Sequence, residues 1–417
     1  MWRHKMSLRH KALVYYGPKD VRVETKELSC GPADLILKVH ACGRCGTDIR
    51  IYYDGRHEVD KHAPIVLGHE IGAEIAAVGP KVRDLVGSPG IGYLEGVRLT
   101  EADVNFKEGD RVTVQSQGAY YRDGLLCAGD PFMVLSFYED AGYAQYMRLS
   151  DIYIRSGAIL RLPDSVTYES APLIEPAACA LHSIHASVHA VRAVREGPDR
   201  GRYVFDSGIK PGGTVGIIGS GSLALIYAKL CRIVGAEKVI LFVRSDQKEH
   251  FVRSILGTDG FSTIKYPRGI KGEALNEDIV RKVSEATHGN MLDDVVCACA
   301  DPDAASLAFD VVNEGGYVAL FAGLQHRQVS ARLDTLHYKF PAKAGGTSGC
   351  STDHMKTIIE LADAGMIDLE SFASKDIFYL EDLEDNPGRF FEYKGLKPIL
   401  SPHIGDVERR TQKAGDR

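Results

Sequence analysis

A glycine-rich turn between a predicted strand and a predicted helix is the feature that most constrains the fold of this chain. Residues 219–224, Gly-Ser-Gly-Ser-Leu-Ala, match the pattern G-x-G-x-x-[GA] and follow the apolar run TVGII. The first glycine permits a tight turn, the second lets the backbone approach a pyrophosphate, and the helix N-terminus offers N–H groups to phosphate. Such turns also arise for packing alone, but the surrounding strand–helix–strand pattern favours a dinucleotide site. Its predicted contacts are Gly219, Ser220, Gly221, Ser222 and Leu223.

The residues after the next predicted strand bear on which dinucleotide is bound. Residues 239–242 form that strand, and an acidic residue near its end would bind the ribose 2′-hydroxyl of NAD. The chain has Arg244 and Ser245 there instead. The arginine favours the 2′-phosphate of NADP over NAD. The alternative is that Arg244 is a solvated surface charge and that Asp246 binds the ribose.

Strand-like and helix-like segments divide the chain into two parts. From residue 12 to about 170, apolar–polar alternation and Gly and Pro turns predict a strand-rich region. From Ala171 onwards, strands alternate with helices, which indicates a parallel α/β sheet. Most of residues 170–194 has apolar residues at helical spacing and predicts one long helix. For a chain of 417 residues, two domains are the expected number.

Composition and charge exclude several kinds of partner. The net charge of −6 argues against a general nucleic-acid surface. No apolar run approaches the roughly 20 residues of a membrane span, and the basic start is not followed by an apolar signal region. The nine cysteines are too scattered for a disulfide framework and fit a reducing compartment. We therefore expect a cytoplasmic protein that acts on a small molecule, without a nucleic-acid or membrane partner.

Residues 42–70 contain the side chains best suited to bind a metal. Cys45, His69 and Glu70 offer a thiolate, an imidazole and a carboxylate. Ligand sets of this kind are used when zinc must keep one position open for water or substrate. In isolation His69 is better interpreted as a hydrogen-bonded core histidine. Its place beside Glu70, after a cysteine cluster and in a chain with a dinucleotide site, favours a metal ligand.

Two polar residues close to Cys45 suit a catalytic metal centre. The hydroxyl of Thr47 can reach an alcohol bound to the metal, and the carboxylate of Asp48 can orient a ligating histidine through its far nitrogen. Cys42 forms a C-x-x-C pair with Cys45. The strand–helix context of a redox pair and the second C-x-x-C of a zinc ribbon are both missing. Cys42 is therefore expected to be a small buried residue.

Five motifs occur together in the order and spacing of a known enzyme family. They are residues 45–48 (CGTD), 68–70 (GHE), 109–112 (GDRV), 175–176 (EP) and 219–224. From about residue 10 to 400 the chain resembles the zinc-dependent medium-chain alcohol dehydrogenases, above all their polyol (sorbitol) and threonine dehydrogenase branch. The resemblance implies an α/β fold class: a GroES-like, β-rich catalytic domain and an inserted Rossmann domain with a doubly wound parallel sheet. The implied ranges are 1–178 and 338–417, including a charged tail, for the catalytic domain and 179–337 for the NAD(P)-binding domain.

The same resemblance implies roles for individual residues. Cys45 and His69 are zinc ligands, and Glu70 and Glu175 are acidic ligands that bind directly or exchange with water. Thr47 hydrogen-bonds the substrate oxygen, and the protein is a homodimer or homotetramer. Glu175 also has a structural interpretation, because a carboxylate before proline suits the first turn of a helix.

Two departures from the family pattern affect the expected site. The four-cysteine segment for a structural zinc should lie near residues 115–130, which contain only Cys127, so we predict a single, catalytic zinc. Arg50 stands where the family often has a proton-relaying histidine, and an arginine cannot shuttle a proton at ordinary pH. The proton is expected to leave through Thr47, the cofactor ribose, Glu70 or water.

The expected activity is hydride transfer between NAD(P) and the hydroxyl or carbonyl of a polyol, a sugar or a sugar phosphate. One alternative is a secondary-alcohol or amino-alcohol (threonine-like) dehydrogenase. Another is a non-catalytic NADP-binding scaffold or sensor. The non-catalytic alternative conflicts with the intact site, because a site that has lost its chemistry has no physical need for a thiolate beside two carboxylates.

Overall fold

The computed structural model describes residues 7–117, 121–122, 125–126, 135–266, 273–324, 327–339 and 341–404. The chain forms two compact units, one of Met1–Ala178 with Cys350–Arg417 and the other of Cys179–Gly349. Among the described residues, no helix is both long and apolar enough to cross a membrane.

The N-terminal part is mostly strands, because short alternating apolar runs are broken there by Gly, Pro and Asp turns. The strands are β1 Leu8–Gly17, β2 Asp20–Leu28, β3 Leu35–Gly43, β4 Ile65–Val66, β5 Glu70–Val78, β6 Arg111–Val114, β7 Tyr121–Arg122, β8 Leu125–Leu126, β9 Tyr146–Leu149 and β10 Ile159–Arg161. The helices are α1 Gly46–Asp54, α2 His57–Asp60, α3 Glu101–Val104, α4 Asp151–Arg155 and α5 Ile174–Ala186, with 3-10 turns at Val82–Leu85, Gly92–Leu94 and Ala171–Leu173.

The second unit alternates strands with helices. Its strands are β11 Val188–Ala193, β12 Tyr203–Ser207, β13 Thr214–Ile218, β14 Lys238–Val243, β15 Phe261–Lys265, β16 Leu292–Cys297, β17 Val312–Leu320 and β18 Lys343–Gly346. Its helices are α6 Ser222–Ile233, α7 Asp246–Leu256, α8 Glu273–Ala286, α9 Pro302–Val311 and α10 Thr335–Tyr338.

Six of these strands form one parallel sheet in the order β15-β14-β13-β16-β17-β18. β13 and β14 are nearly continuous apolar runs with buried side chains, as expected for strands covered on both faces, and β16 ends in the buried apolar run Val295–Cys297. The strand order reverses at β13, and doubly wound sheets bind ligands beyond the carboxyl ends of the strands at such a point. The predicted Rossmann-type sheet is therefore confirmed.

The C-terminal segment returns to the first unit and completes its main sheet. It contains α11 Thr352–Asp363, β19 Ala373–Tyr379, α12 Arg389–Glu392 and β20 Lys397–Ser401, with 3-10 turns at Glu370–Phe372 and Glu381–Leu383. β20 pairs antiparallel with β3, where Ile399 lies opposite Gly43 and Leu400 opposite Cys42. The resulting order is β10-β6-β5-β3-β20-β19, with β9 also paired to β3. The start of β20 is thereby brought beside the end of β3, just before α1.

The predicted domain boundary between residues 337 and 338 lies too early in the chain. β18 follows that boundary, yet it pairs in parallel with β17, with Tyr317 opposite Lys343 and Ala319 opposite Gly345. The second unit accordingly extends to Gly349. The sequence Lys-Ala-Gly-Gly lacks the apolar run of a buried strand, which is consistent with its place at the edge of the sheet.

The long helix predicted over most of residues 170–194 is wrong for the residues after Ala186. α5 ends at Ala186, and β11 then forms an antiparallel hairpin with β12. His189 explains the change, because its buried Nε2 lies 3.0 Å from Oδ1 of the buried Asp294 on β16. This contact anchors the hairpin to the parallel sheet and outweighs the helical spacing of the apolar residues.

We predict that the His189–Asp294 pair makes unfolding stability depend on pH. Burial alone would lower the pKa of His189, but the hydrogen bond and charge of Asp294 outweigh burial and raise it above 6.5. The pair therefore makes its full contribution to the free energy of unfolding below pH 6.5, where His189 is protonated in both states. That contribution is lost as the pH rises through the higher pKa of His189 in the folded protein. Urea unfolding across a pH series should show this loss in the wild type but not in His189→Gln.

The exposed His250→Gln variant is the matched control and should keep the wild-type pH dependence. If the free energy of unfolding changed with pH in the same way in the wild type and in His189→Gln, protonation of this pair would not be coupled to folding.

Candidate active site

Helix α1 begins where the predicted metal-binding cysteine lies. Cys45 is its N-cap residue, and its Sγ accepts a hydrogen bond from the Thr47 backbone N–H at 3.4 Å. Asp48 completes a capping box, because its Oδ2 accepts from the Cys45 backbone N–H at 3.0 Å. The thiol is thereby held at the N-terminal end of the helix. The CGTD motif thus orients the thiol by starting a helix. The expectation that the Cys42–Cys45 pair lacks a strand–helix context is therefore wrong, because β3 ends at Gly43 and α1 begins at Gly46.

His69 and Glu70 lie at the start of β5, next to two glycines that make room for the site. Gly68 has a φ of +95°, and a Cβ there would collide with the ring of Tyr143. On the neighbouring strand Gly43 lies opposite Glu70, where a Cβ would collide with the Glu70 carboxylate. Both positions therefore require glycine because a side chain would clash, and Gly68 also requires it because of its positive φ.

The structure brings three of the predicted ligands together. One donor atom each from Cys45, His69 and Glu70 lies within 4.8 Å of the others. Glu175, in the first turn of α5, lies outside this group, although its charge acts on both His69 and Glu70. Sulfur, nitrogen and oxygen donors at this spacing fit zinc, and three protein donors leave a fourth position for water or substrate.

Asp48 lies behind His69, as expected for a carboxylate that orients a ligating histidine. Its Oδ1 is 3.6 Å from His69 Nδ1, and its Oδ2 accepts from the Tyr143 hydroxyl at 2.7 Å. Oδ1 is buried and has no hydrogen-bond partner among the described residues. A small shift of the His69 ring on binding a metal would let Nδ1 donate to this oxygen, so the orphaned atom also fits a metal centre.

The charges around His69 act against its burial. Burial alone would lower the pKa of His69, but the negative charges of Asp48, Cys45 and Glu175 outweigh burial and raise it. The pocket therefore favours positive charge at this point. A divalent cation bound by the imidazole satisfies the same electrostatic demand.

Lys397, which the sequence did not single out, contacts one of the three ligands. It begins β20 and donates from Nζ to both carboxylate oxygens of Glu70, at 2.5 and 2.6 Å. Their side chains are only 8% and 1% exposed, respectively. Burial would lower the pKa of Lys397, but the Glu70 carboxylate outweighs it and raises the pKa, so the lysine stays charged. No spacing pattern relates residues 70 and 397, because the contact arises from the pairing of β20 with β3.

The predicted proton-carrying residue is already hydrogen-bonded. Arg50 Nη2 donates to the hydroxyl oxygen of Thr47 at 2.8 Å, within the first turns of α1. A hydroxyl oxygen has two acceptor sites and one O–H, so one acceptor site and the O–H of Thr47 remain for other partners. Arg50 thus occupies the neighbourhood of Thr47 without being able to relay its proton.

Other residues of this stretch have structural roles. Cys42 is fully buried, and burial raises its pKa well above the usual range, as predicted for a small core residue. Arg44 is buried and donates to the backbone carbonyls of Phe390 and, at 2.9 Å, Tyr393. The predicted absence of a structural zinc depends on Cys127, which lies outside the described residues.

The predicted phosphate-binding turn joins β13 to α6 in the second unit. Gly219 has a φ of +146°, and a Cβ there would lie 3.1 Å from the carbonyl oxygen of Ala298. Gly221 is the N-cap residue of α6 and supplies no capping side chain, and a Cβ there would meet nothing within 4 Å. An uncapped helix start with space beside it suits the close approach of a phosphate. The turn is completed by Ser220, Ser222 and Leu223.

Arg244 and Ser245 follow β14, and both make contacts within the second unit. Ser245 caps α7 by accepting a hydrogen bond from a backbone N–H of its first turn at 3.2 Å. Arg244 forms an ion pair with Asp301 and donates to the Tyr266 hydroxyl at 2.9 Å. Asp246, the alternative ribose ligand, is paired with a lysine of β15 at 2.6 Å.

Known proteins resemble this chain over most of its length. Residues 31–163 match the family model of the alcohol dehydrogenase GroES-like domain. The chain is 23% identical to sorbitol dehydrogenase of Bacillus subtilis strain 168, over 96% of this chain and 99% of that protein.

Solved structures that share its fold include two dehydrogenases. One is 2R,3R-butanediol dehydrogenase from Bacillus subtilis, with a TM-score of 0.70, 19% identity, and coverage of 94% of this chain and 100% of that chain. The other, assigned as a zinc-binding dehydrogenase from Sinorhizobium meliloti 1021 bound to NADP, has a TM-score of 0.70, 20% identity, and coverage of 95% and 100%. The chain thus contains a segment of the alcohol dehydrogenase GroES-like type and is similar, over nearly its whole length, to a sorbitol dehydrogenase and a butanediol dehydrogenase.

We predict that Lys397 is required to keep Glu70 charged in the protein interior. Lys397→Met leaves the buried carboxylate without its cation, which should lower the free energy of unfolding by about 3–5 kcal/mol. Urea unfolding of the metal-free protein measures this loss. In the double variant with Glu70→Gln, most of the loss should be recovered, because no buried charge is left unpaired.

The matched control is Lys375→Met, which removes an exposed lysine from the adjacent β19. It should change stability by less than about 1 kcal/mol, as for surface charges generally. A Lys397→Met variant as stable as this control would contradict the assigned role.

Proposed function

We propose that this protein is a zinc-dependent dehydrogenase that transfers a hydride between NAD(P) and the hydroxyl or carbonyl of a polyol, a sugar or a sugar phosphate. The observation that carries the proposal is the grouping of the Cys45, His69 and Glu70 donor atoms within 4.8 Å. The match of residues 31–163 to the alcohol dehydrogenase GroES-like domain and the relatives named for sorbitol and butanediol support the substrate class. They do not favour the amino-alcohol or non-catalytic alternatives.

In this proposal the metal is held by Cys45, His69 and Glu70, with Glu175 as a carboxylate that binds directly or exchanges with water. A zinc ion in this donor set supplies Lewis acidity, which lowers the pKa of a bound alcohol. Asp48 orients the His69 ring, and Lys397 keeps Glu70 ionised in a buried position. A single zinc per chain is proposed.

Thr47 carries the first proton step in this proposal. Its Oγ1 accepts the proton of the substrate hydroxyl as its own proton moves on, while the Arg50 N–H on the same oxygen holds the hydroxyl in place. Arg50 itself cannot take the proton at ordinary pH, so the exit runs through the cofactor ribose, Glu70 or water. A nicotinamide cofactor supplies the hydride acceptor.

For the cofactor we propose NADP in preference to NAD. The turn at residues 219–223 would hold the pyrophosphate, with Ser245 at the start of the next helix. Arg244 immediately precedes that helix start. It stands where an acidic residue would be expected to bind the ribose of NAD. The NADP-bound structure among the relatives supports this preference.

Replacing Arg244 tests the cofactor preference. In Arg244→Ala, the ratio of kcat/KM for NADP to that for NAD should fall at least tenfold, about 1.4 kcal/mol, because a charged contact to the 2′-phosphate is lost. Steady-state rates with both cofactors and one polyol measure this ratio. Arg253→Ala, an exposed position on α7, is the control and should leave the ratio unchanged. An unchanged ratio in Arg244→Ala, or a wild type that prefers NAD, would contradict the assignment.

Replacing Cys45 tests the metal site. Cys45→Ala should reduce bound zinc from about one per chain to a small fraction and should abolish turnover, because it removes one of the three grouped ligands. Dinucleotide binding, followed by cofactor fluorescence, should be retained. Cys42→Ala removes the other cysteine of the C-x-x-C pair and should retain the zinc. Full zinc content in Cys45→Ala, measured by elemental analysis, would contradict the proposed ligand set.

We also propose that the protein works in the cytoplasm as a homodimer or homotetramer, with no nucleic-acid or membrane partner. The scattered cysteines support the reducing compartment, and the net charge of −6 supports the absence of a nucleic-acid partner. The oligomeric state rests on the resemblance to medium-chain alcohol dehydrogenases.

A further inference from the structure

The guanidinium of Arg50 lies across the first turn of α1, beside the proposed metal ligand. Its Nη2 donates to Thr47 Oγ1 at 2.8 Å, and a Cβ placed on Gly46 would lie 3.5 Å from its Nη1. Cys45 is the N-cap residue of the same turn. Residues three apart on a helix are neighbours on its surface, so Arg50 and Thr47 occupy one face. A cation therefore stands next to the hydroxyl that serves the reacting oxygen.

Most N–H groups of the Arg50 guanidinium form no hydrogen bond with the described residues. Arg50 is half-buried and forms no ion pair with any residue of the described chain, and its one hydrogen bond there is to Thr47. That bond uses one of five N–H groups. Two other polar residues of this stretch are already committed: Arg44 to backbone carbonyls, and Tyr52 to a stack with Phe391 at 4.7 Å between ring centroids.

We infer that Arg50 determines substrate specificity by binding an anionic group of the substrate, so that the preferred substrate is a polyol carrying a phosphate or a carboxylate. The inference rests on the proposed function, because it assigns the substrate class of the same site. A guanidinium binds phosphate and carboxylate groups through two parallel N–H donors, so it orients the bound anion as well as attracting it. Because Arg50 also contacts Thr47, an anion bound to it holds the substrate hydroxyl near the residue that takes its proton.

The test compares matched neutral and anionic polyols as substrates of the zinc-loaded protein. D-sorbitol is the neutral substrate, D-sorbitol 6-phosphate is the phosphate arm, and D-gluconate is the carboxylate arm. The wild type should show at least a tenfold higher kcat/KM for one anionic substrate than for D-sorbitol. In Arg50→Gln this selectivity ratio should fall at least tenfold, mainly through KM, and Arg50→Lys should retain part of it.

The matched control is Arg56→Gln, an exposed arginine just after α1 that pairs with Glu58. Its selectivity ratio should equal that of the wild type. Three results would overturn the inference: an unchanged ratio in Arg50→Gln, an equal loss on neutral and anionic polyols, or a loss confined to the KM for the cofactor. The last two would mean that Arg50 acts only through Thr47 or on the dinucleotide.

Calorimetry separates this inference from the proposed function. D-sorbitol 6-phosphate or D-gluconate is titrated into the zinc-loaded protein without cofactor, and Arg50→Gln should bind the preferred anion at least tenfold more weakly than Arg56→Gln. If no polyol, neutral or anionic, is turned over with either cofactor, the proposed function fails while the binding result still reports on Arg50. Equal binding of both variants would overturn the inference even if polyols are oxidised.

Discussion

The buried ion pair between Glu70 and Lys397 is the interaction on which the site depends. Glu70 begins β5 and Lys397 begins β20, so the pair joins two parts of the first unit that the whole second unit separates in sequence. A carboxylate that is 1% exposed stays ionised only with a close cation, because burial penalises the charged form. With the lysine in place, a charged oxygen stands beside a thiol and an imidazole.

Residues close together in the sequence could be predicted from local patterns. The chemistry of Cys45 and Asp48 was predicted as a ligand and an orienting carboxylate, whereas the helix that begins at Cys45 was not predicted. His69 and Glu70 are adjacent, and the turn at residues 219–224 combines a strand, a tight bend and a helix start. Each depends on a few neighbouring side chains and backbone angles, which the sequence displays directly.

Features that depend on contacts between distant elements could not be predicted in this way. Lys397 is one lysine at the start of an apolar strand, and only the pairing of β20 with β3 places it against Glu70. β18 is a strand because its backbone pairs with that of β17, whereas its own residues do not favour a strand. At His189 a buried partner on another strand outweighs local helical spacing. In all three cases the tertiary contact decides the local structure.

The most direct test of the central claim is X-ray absorption spectroscopy at the zinc edge of the metal-loaded protein. We predict one sulfur neighbour per zinc at about 2.3 Å, from Cys45, and nitrogen or oxygen neighbours at about 2.0–2.2 Å, from His69, a carboxylate and the open position. A zinc with two or more sulfur neighbours, or with none, would contradict it.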